Sequence, residues 1–90
     1  MQTEDSQTIV NRFFEALDLL KAAGRIGGTK TFTTRYEINR WNLLTVRKNP
    51  ASDMFQPAWL TYLVTDYGVS ARWLLTGLGE PLPRRKSKTG

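Results

Sequence analysis

The side chains of this chain that can do chemistry are mainly its thirteen lysines and arginines. Cysteine and histidine are both absent, so the chain has no thiolate nucleophile, no imidazole base, no disulfide and none of the clusters that hold zinc. Among the charged pairs, only Asp18 and Lys21 have a suggestive spacing, and it is that of ordinary pairing on a helix surface. We therefore expect no enzymatic activity, no metal, no cofactor and no small-molecule substrate, and we look to the basic residues for binding.

The basic residues are concentrated in the middle third of the chain. Residues 25–48 carry six basic side chains and one acidic one, Glu37, whereas residues 1–24 and 49–83 are each net acidic. Such a concentration is typical of a face that binds nucleic-acid phosphates, because each neutralised phosphate releases counterions. A solvated surface is the alternative interpretation of the same charges.

Length and composition indicate one folded domain. Ninety residues are too few for two cores, and a hydrophobic content of 40% is that of a globular protein. No apolar run approaches the roughly 20 residues that span a bilayer, and MQTEDSQT at the N-terminus does not resemble a signal peptide. We expect a cytoplasmic protein with a single domain over residues 1–83 and a disordered basic tail, RRKSKTG, over residues 84–90. The tail has two interpretations, an arm that reaches DNA and a solubilising end.

Apolar periodicity and capping residues predict five helices joined by short connections. The predicted caps and stops, in chain order, are Asp5 or Ser6 and Gly24 for the first helix, Thr29 for the second, Asn39 and Asn49 for the third, Gly68 for the fourth, and Ser70 and Gly77 for the fifth. Pro57 is predicted in the first turn of the fourth helix. We therefore expect an all-α fold, a compact five-helix orthogonal bundle. Trp59 and Trp73 lie among its predicted core stripes.

The second and third predicted helices have the dimensions of a helix-turn-helix, in which the second helix enters the major groove of DNA. Here the chain resembles the lambda-repressor-like helix-turn-helix domains of phage repressors, Cro proteins and related bacterial regulators, over roughly residues 9–80. The stretch YGVSARWLLTGLGEP at residues 67–81 carries the resemblance most strongly. The apolar pattern of that family is matched by Phe32, Tyr36, Ile38, Leu43 and Val46.

The resemblance implies a sequence-specific DNA-binding transcriptional regulator of the phage-repressor type, acting at the bacterial nucleoid. Its partner is a double-stranded DNA operator, bound by a homodimer, because one module contacts too few base pairs for useful specificity. It also points to the fifth helix, including Trp73, as the dimer surface.

Two residues depart from the family pattern: Thr33 stands where alanine is usual, and Glu37 where glycine is usual at the turn. A left-handed Glu37 costs about 1 kcal/mol or more, so we expect either that cost or a turn that is wider or differently bent.

The resemblance places base contacts on the third helix and phosphate contacts at the start of the second. A helical wheel of residues 39–48 directs Asn39, Leu43 and Val46 to the core. The outward face of the wheel collects Trp41, Leu44, Thr45 and Lys48. Arginine suits a bidentate bond to guanine. The predicted base-contacting residues are Arg40, Trp41, Leu44 and Thr45, and the predicted contacts to the DNA backbone are Thr29, Lys30, Arg35, Arg47 and Lys48.

Several of these residues have alternative interpretations. Arg40 can instead be solvated or paired internally, and Trp41 can pack against a neighbouring loop, contact DNA or form a protein interface. Arg47 and Lys48 can serve the C-terminal end of their own helix. If Trp41 and Leu44 form an apolar docking patch, the chain is a helical protein-interaction module that keeps the fold and has lost base readout.

Overall fold

The computed structural model describes residues 4–82, and these residues form five α-helices and no strand. The helices are α1 (Glu4–Ala22), α2 (Thr29–Arg35), α3 (Arg40–Lys48), α4 (Ala58–Tyr67) and α5 (Ala71–Thr76). The prediction of a compact all-α fold with five helices is confirmed. The predicted basic tail lies outside the described residues. None of the helices in residues 4–82 is long and apolar enough to cross a membrane.

The first helix forms the centre of the fold. One face of α1 is buried along its length, through residues that recur at the three- and four-residue spacing of a helix; they are Val10, Phe13, Phe14, Ala16, Leu17 and Leu20. This face packs against α3, α4 and α5. Phe13 lies in the middle, with its ring centroid 4.9–5.8 Å from those of its aromatic neighbours, which are Phe14, Phe32, Phe55 and Trp59.

Two predicted N-caps are wrong. The first helix already includes Glu4, so Asp5 and Ser6 lie within its first turn. The negative charges of Glu4 and Asp5 there interact favourably with the helix dipole. Thr29 is the first residue of α2, and the N-cap is Gly28. The N-cap position has a φ of 148°, which glycine adopts easily and which would be strained for threonine. The start of α2 is therefore set by the backbone conformation of Gly28, and no side chain caps it.

The other caps agree with the prediction. Asn39 and Ser70 cap α3 and α5, and the Ser70 Oγ atom accepts from the Trp73 backbone N–H at 3.1 Å. Gly68 and Gly77 end α4 and α5 in the left-handed conformation. Pro57 is the N-cap of α4 and not its first helical residue. Local sequence is enough to specify these ends, because each depends on one residue and its immediate neighbours.

Candidate nucleic-acid interface

A tight turn over residues 36–39 joins α2 to α3. The Ile38 N–H donates to the Thr33 carbonyl oxygen at 2.9 Å, and the Glu37 N–H donates to the Thr34 carbonyl oxygen at 3.4 Å. These two bonds form a Schellman motif, in which the residue after the C-cap is normally glycine. Glu37 occupies that position in the left-handed conformation, with φ of 55°. Of the two outcomes expected from the sequence, the structure shows the left-handed Glu37, in a hydrogen-bonded turn.

Thr33, the other departure from the family pattern, is buried in α2. Its hydroxyl donates to the Lys30 carbonyl oxygen at 3.0 Å, one turn earlier in the same helix. The polar atom is therefore satisfied inside the helix, and only the methyl group is left to pack. This explains how threonine is accommodated where α2 packs against α3.

Asn39 starts α3 by accepting a hydrogen bond from the Asn42 backbone N–H on its Oδ1 atom, at 3.1 Å. Its side chain serves the helix end and is exposed, so the wheel prediction that Asn39 faces the core is wrong. A capping residue lies outside the helical repeat, and the wheel does not describe its direction. Leu43 and Val46 are fully buried, as predicted.

The opposite side of α3 is open. Trp41, Thr45 and Lys48 are exposed and Leu44 is half-buried, and they follow one another at the spacing of a single helix stripe. Together with Arg47 they line a shallow groove of about 200 Å³. The predicted base-contacting residues Trp41, Leu44 and Thr45 are thus brought onto one surface, with Arg40 exposed at the beginning of the helix.

Trp41 is 79% exposed, which is unusual for a large aromatic side chain. Of the interpretations open from the sequence, packing against a neighbouring loop is therefore excluded for the described residues. Trp59 and Trp73 are buried in the core, as predicted. The burial of Trp73 also removes it from the expected dimer surface, because a side chain enclosed in its own domain cannot contact a second copy.

Arg47 is held by an acidic residue of α1. Its Nη2 atom lies 2.8 Å from one Asp18 carboxylate oxygen and 3.0 Å from the other, and its guanidinium lies 5.4 Å from the centre of the Phe14 ring. Its side chain stays 39% exposed. Ion pairs this accessible contribute little to stability, about 0.2–1 kcal/mol, but this one orients Arg47 along the edge of the open face.

Arg35 is held in a second cluster, between α2 and α4. Its guanidinium lies 3.8 Å from the Asp66 carboxylate and 5.3 and 5.5 Å from the ring centres of Tyr36 and Tyr67. Tyr36 stacks on Tyr62 with a centroid distance of 4.1 Å and nearly parallel planes. Arg35 therefore belongs at least in part to the packing of α2, and the predicted contact with DNA backbone stays a prediction.

The hydroxyl of Tyr36 donates to the Asp66 carboxylate, which joins the end of α2 to α4. Burial and then this hydrogen bond raise the pKa of Tyr36 above its ordinary value of 10, because both favour the neutral phenol. The pKa of Arg35 is also raised, chiefly by Tyr36, so the guanidinium stays charged.

Three cations of the central basic segment have neither an ion pair nor a side-chain hydrogen bond within residues 4–82, namely Lys30, Arg40 and Lys48. Arg25, by contrast, donates to the Tyr67 carbonyl oxygen at 2.9 Å and ties the loop after α1 to the end of α4. Thr29 is half-buried at the start of α2, beside the exposed Lys30. The basic segment of the sequence is thus divided between cations that hold the fold and cations that are open to a partner.

The sequence suggested Lys21 as the partner of Asp18, whereas the structure pairs Asp18 with Arg47. Sequence reasoning did not single out Asp66, which holds Arg35. Each pair is separated by about thirty residues, 29 for Arg47 with Asp18 and 31 for Arg35 with Asp66. No local pattern connects residues so far apart, and only the packing of α3 on α1 and of α2 near α4 brings them together. The sequence of one chain carries no signal that would have found them.

Comparison of the chain with known protein families, with curated proteins and with solved structures found no match.

Proposed function

We propose that the chain is a sequence-specific DNA-binding regulator, in which α2 and α3 act as a helix-turn-helix and α3 enters the major groove. The observation that carries this proposal is the outward face of α3, which no other described element covers and which unpaired cations border. An α-helix with its side chains is about 10–12 Å across, which matches a major groove about 12 Å wide. Folding does not use this face, so it is available for a partner.

The charges around α3 suit this role. Arg40 at its beginning and Lys48 at its end are exposed, and Lys30 is exposed on α2. The first residues of a groove-bound helix contact base edges, while cations at its far end and on the neighbouring helix can reach phosphates. In this arrangement Arg40 reads a base, and Lys30, Lys48 and the partly exposed Arg47 contact the backbone, with Thr29 and Arg35 at its margin.

A single module of this size reads few base pairs, so the proposal includes a homodimer on a palindromic operator with half-sites about 34–36 Å apart. For the dimer surface, α5 remains the candidate through residues other than Trp73. Leu75 and Leu78, at and just after the end of α5, are 54% and 56% exposed. Apolar side chains at these positions favour contact with a second copy over contact with water.

A second candidate function is a protein-interaction module, which is favoured by the same exposed Trp41 beside Leu44. The two functions respond differently to salt. Binding dominated by phosphates weakens steeply as the salt concentration rises, whereas burial of an apolar patch barely responds.

The test is fluorescence anisotropy of the full chain with a labelled random duplex and then with duplexes enriched by selection from a random pool. At about 50 and about 200 mM salt, the proposal expects an enriched palindromic sequence and affinity that falls by an order of magnitude or more between the two salt concentrations. Weak binding with no enrichment would contradict the proposal and leave the protein-interaction function.

Two variants separate base reading from phosphate contact. Arg40→Ala should lower affinity for the selected duplex by about 1–3 kcal/mol and relax its sequence preference, because a bidentate contact to a base is lost. Lys48→Ala should weaken binding to all duplexes alike and lower the salt dependence. Lys21→Ala, which removes an exposed cation from α1, is the matched control and should change neither. Equal behaviour of Arg40→Ala and Lys48→Ala would argue against base reading by Arg40.

A further inference from the structure

The outward face of α3 is apolar at its centre and basic at its margins. Trp41 and Leu44 occupy the centre with the methyl group of Thr45, and the groove that they line continues along Arg47 and Lys48. The indole of Trp41 is left in water by the fold, although burying it elsewhere would be favourable. The face therefore suits a partner that is anionic overall and presents a small apolar group between its charges.

The major groove of DNA has this combination. Phosphates line both of its margins, and among the groups that the four bases display there, the C5-methyl group of thymine is the apolar one. A face of tryptophan and leucine has little capacity for hydrogen-bonded reading, since leucine has no polar side-chain atom and the indole offers one N–H donor. Such a face distinguishes bases by contact with a methyl group and by shape.

We propose that Trp41, supported by Leu44, is a specificity-determining residue that binds the C5-methyl group of thymine; this inference rests on the proposed DNA-binding function. Trp41 is the second residue of α3, next to Arg40. The operator half-site should therefore contain thymine at the position that faces the N-terminal half of α3, beside the base that Arg40 contacts. The residues at the margin supply affinity, and Trp41 and Leu44 supply the preference for thymine.

The experiment replaces thymine by uracil in the selected duplex, one position at a time. Uracil keeps the Watson–Crick pair and removes only the methyl group, so any loss of affinity at the position facing Trp41 reports on that group. Wild-type protein should bind the substituted duplex about fourfold more weakly for each methyl group that it buries. The Trp41→Ala variant should bind the thymine duplex more weakly than wild type and should no longer distinguish thymine from uracil there.

Met54→Ala is the matched control, because it also removes an exposed apolar side chain but from the segment between α3 and α4. It should keep the full discrimination between thymine and uracil. Trp41 is exposed, so its replacement should leave the fold intact, and far-ultraviolet circular dichroism of the variant checks this. Comparing the ratio of affinities in wild type and variant also cancels any effect of uracil on the DNA itself.

A second readout uses the emission of Trp41. It is the exposed one of the three tryptophans, so iodide should quench its emission far more than that of Trp59 and Trp73. The selected thymine duplex should protect Trp41 from iodide, and the uracil duplex should protect it less at equal occupancy.

The outcomes separate this inference from the function on which it rests. Salt-dependent, sequence-selective binding with no sensitivity to any thymine methyl group, or with a sensitivity that Trp41→Ala retains, overturns the role of Trp41 and leaves the DNA-binding function intact. A selected site without thymine opposite α3 overturns it as well. If no duplex is bound and Trp41 is protected only by a protein, both proposals are wrong.

Discussion

Glu37 is the residue at which the backbone and the side chain conflict most clearly. The Schellman motif that ends α2 requires a left-handed residue at this position, and a side chain there brings its Cβ too close to the following carbonyl group. The same turn joins α2 to α3 and so sets the position of α3. The strain is confined to one residue, so it can be relieved without changing any other contact.

We expect Glu37→Gly to raise the free energy of unfolding by about 0.5–1 kcal/mol, since glycine adopts this conformation without a steric cost and loses some of that gain to its own flexibility in the unfolded chain. Urea denaturation monitored by circular dichroism measures the change. Glu37→Gln is the control, because it removes the charge and keeps the Cβ atom. Equal stabilisation by both variants would show that charge, and not the backbone, is the source of the cost.

At the scale of elements, Tyr36 makes two of the contacts that link the end of α2 to α4. Its ring stacks on Tyr62 and its hydroxyl donates to Asp66, so one side chain carries both an apolar and a polar contact across the two helices. As α2 has only seven residues, it is too short to be stable by itself and depends on such contacts.

Tyr36→Phe should lower the free energy of unfolding by about 1 kcal/mol at neutral pH, because the ring stays stacked and only the hydrogen bond is lost. The effect should depend on pH. The pKa of Tyr36 is raised in the folded state, so its contribution is fully present below pH 10, the ordinary value, and is lost as the pH rises above it. Denaturation series across the alkaline range measure this.

The matched control for Tyr36→Phe is Tyr62→Phe, which keeps the same stack and leaves the hydroxyl of Tyr36 in place. It should retain the alkaline loss of stability that Tyr36→Phe reduces. If wild type and Tyr36→Phe lose stability in parallel above pH 10, the hydrogen bond to Asp66 does not supply the pH dependence.

The elements also show how far the sequence of one chain can be interpreted. Helix ends that depend on a single residue, such as Asn39 or Gly77, were predictable, and so were the buried residues of α3. The start of α2 was not predictable, because threonine is a common N-cap residue, whereas here the backbone conformation of Gly28 makes Gly28 the N-cap. The pairing of Arg47 with Asp18 depends on how α3 lies on α1, which no local pattern contains. For the same reason the sequence left the exposure of Trp41 undecided.

At the scale of the whole molecule, the core depends on α1. Phe13 is fully buried and contacts aromatic rings that come from its own helix, from α2, from α4 and from the loop before α4. Truncating this side chain removes contacts to most of the fold at once, and the surrounding rings cannot all move in to fill the space.

Phe13→Ala should therefore destabilise the protein by about 3–5 kcal/mol, a large part of the stability of a domain of this size. Trp41→Ala removes an even larger aromatic side chain from the surface and should change the free energy of unfolding by less than about 0.5 kcal/mol. Thermal and urea denaturation of the two variants measure both values. Comparable losses would mean that Trp41 packs against the domain in solution.

The position of α1 in the chain has a consequence during synthesis. Among the five described helices α1 is made before the elements that cover its apolar face, which are α3, α4 and α5. A ribosome that adds about 5–20 residues per second needs several seconds to pass from the end of α1 to the end of α5. Until α5 is made, the apolar stripe of α1 is not completely covered, and chaperones or other nascent chains can bind it. The order of the helices thus sets how long each new molecule is open to aggregation before it can fold.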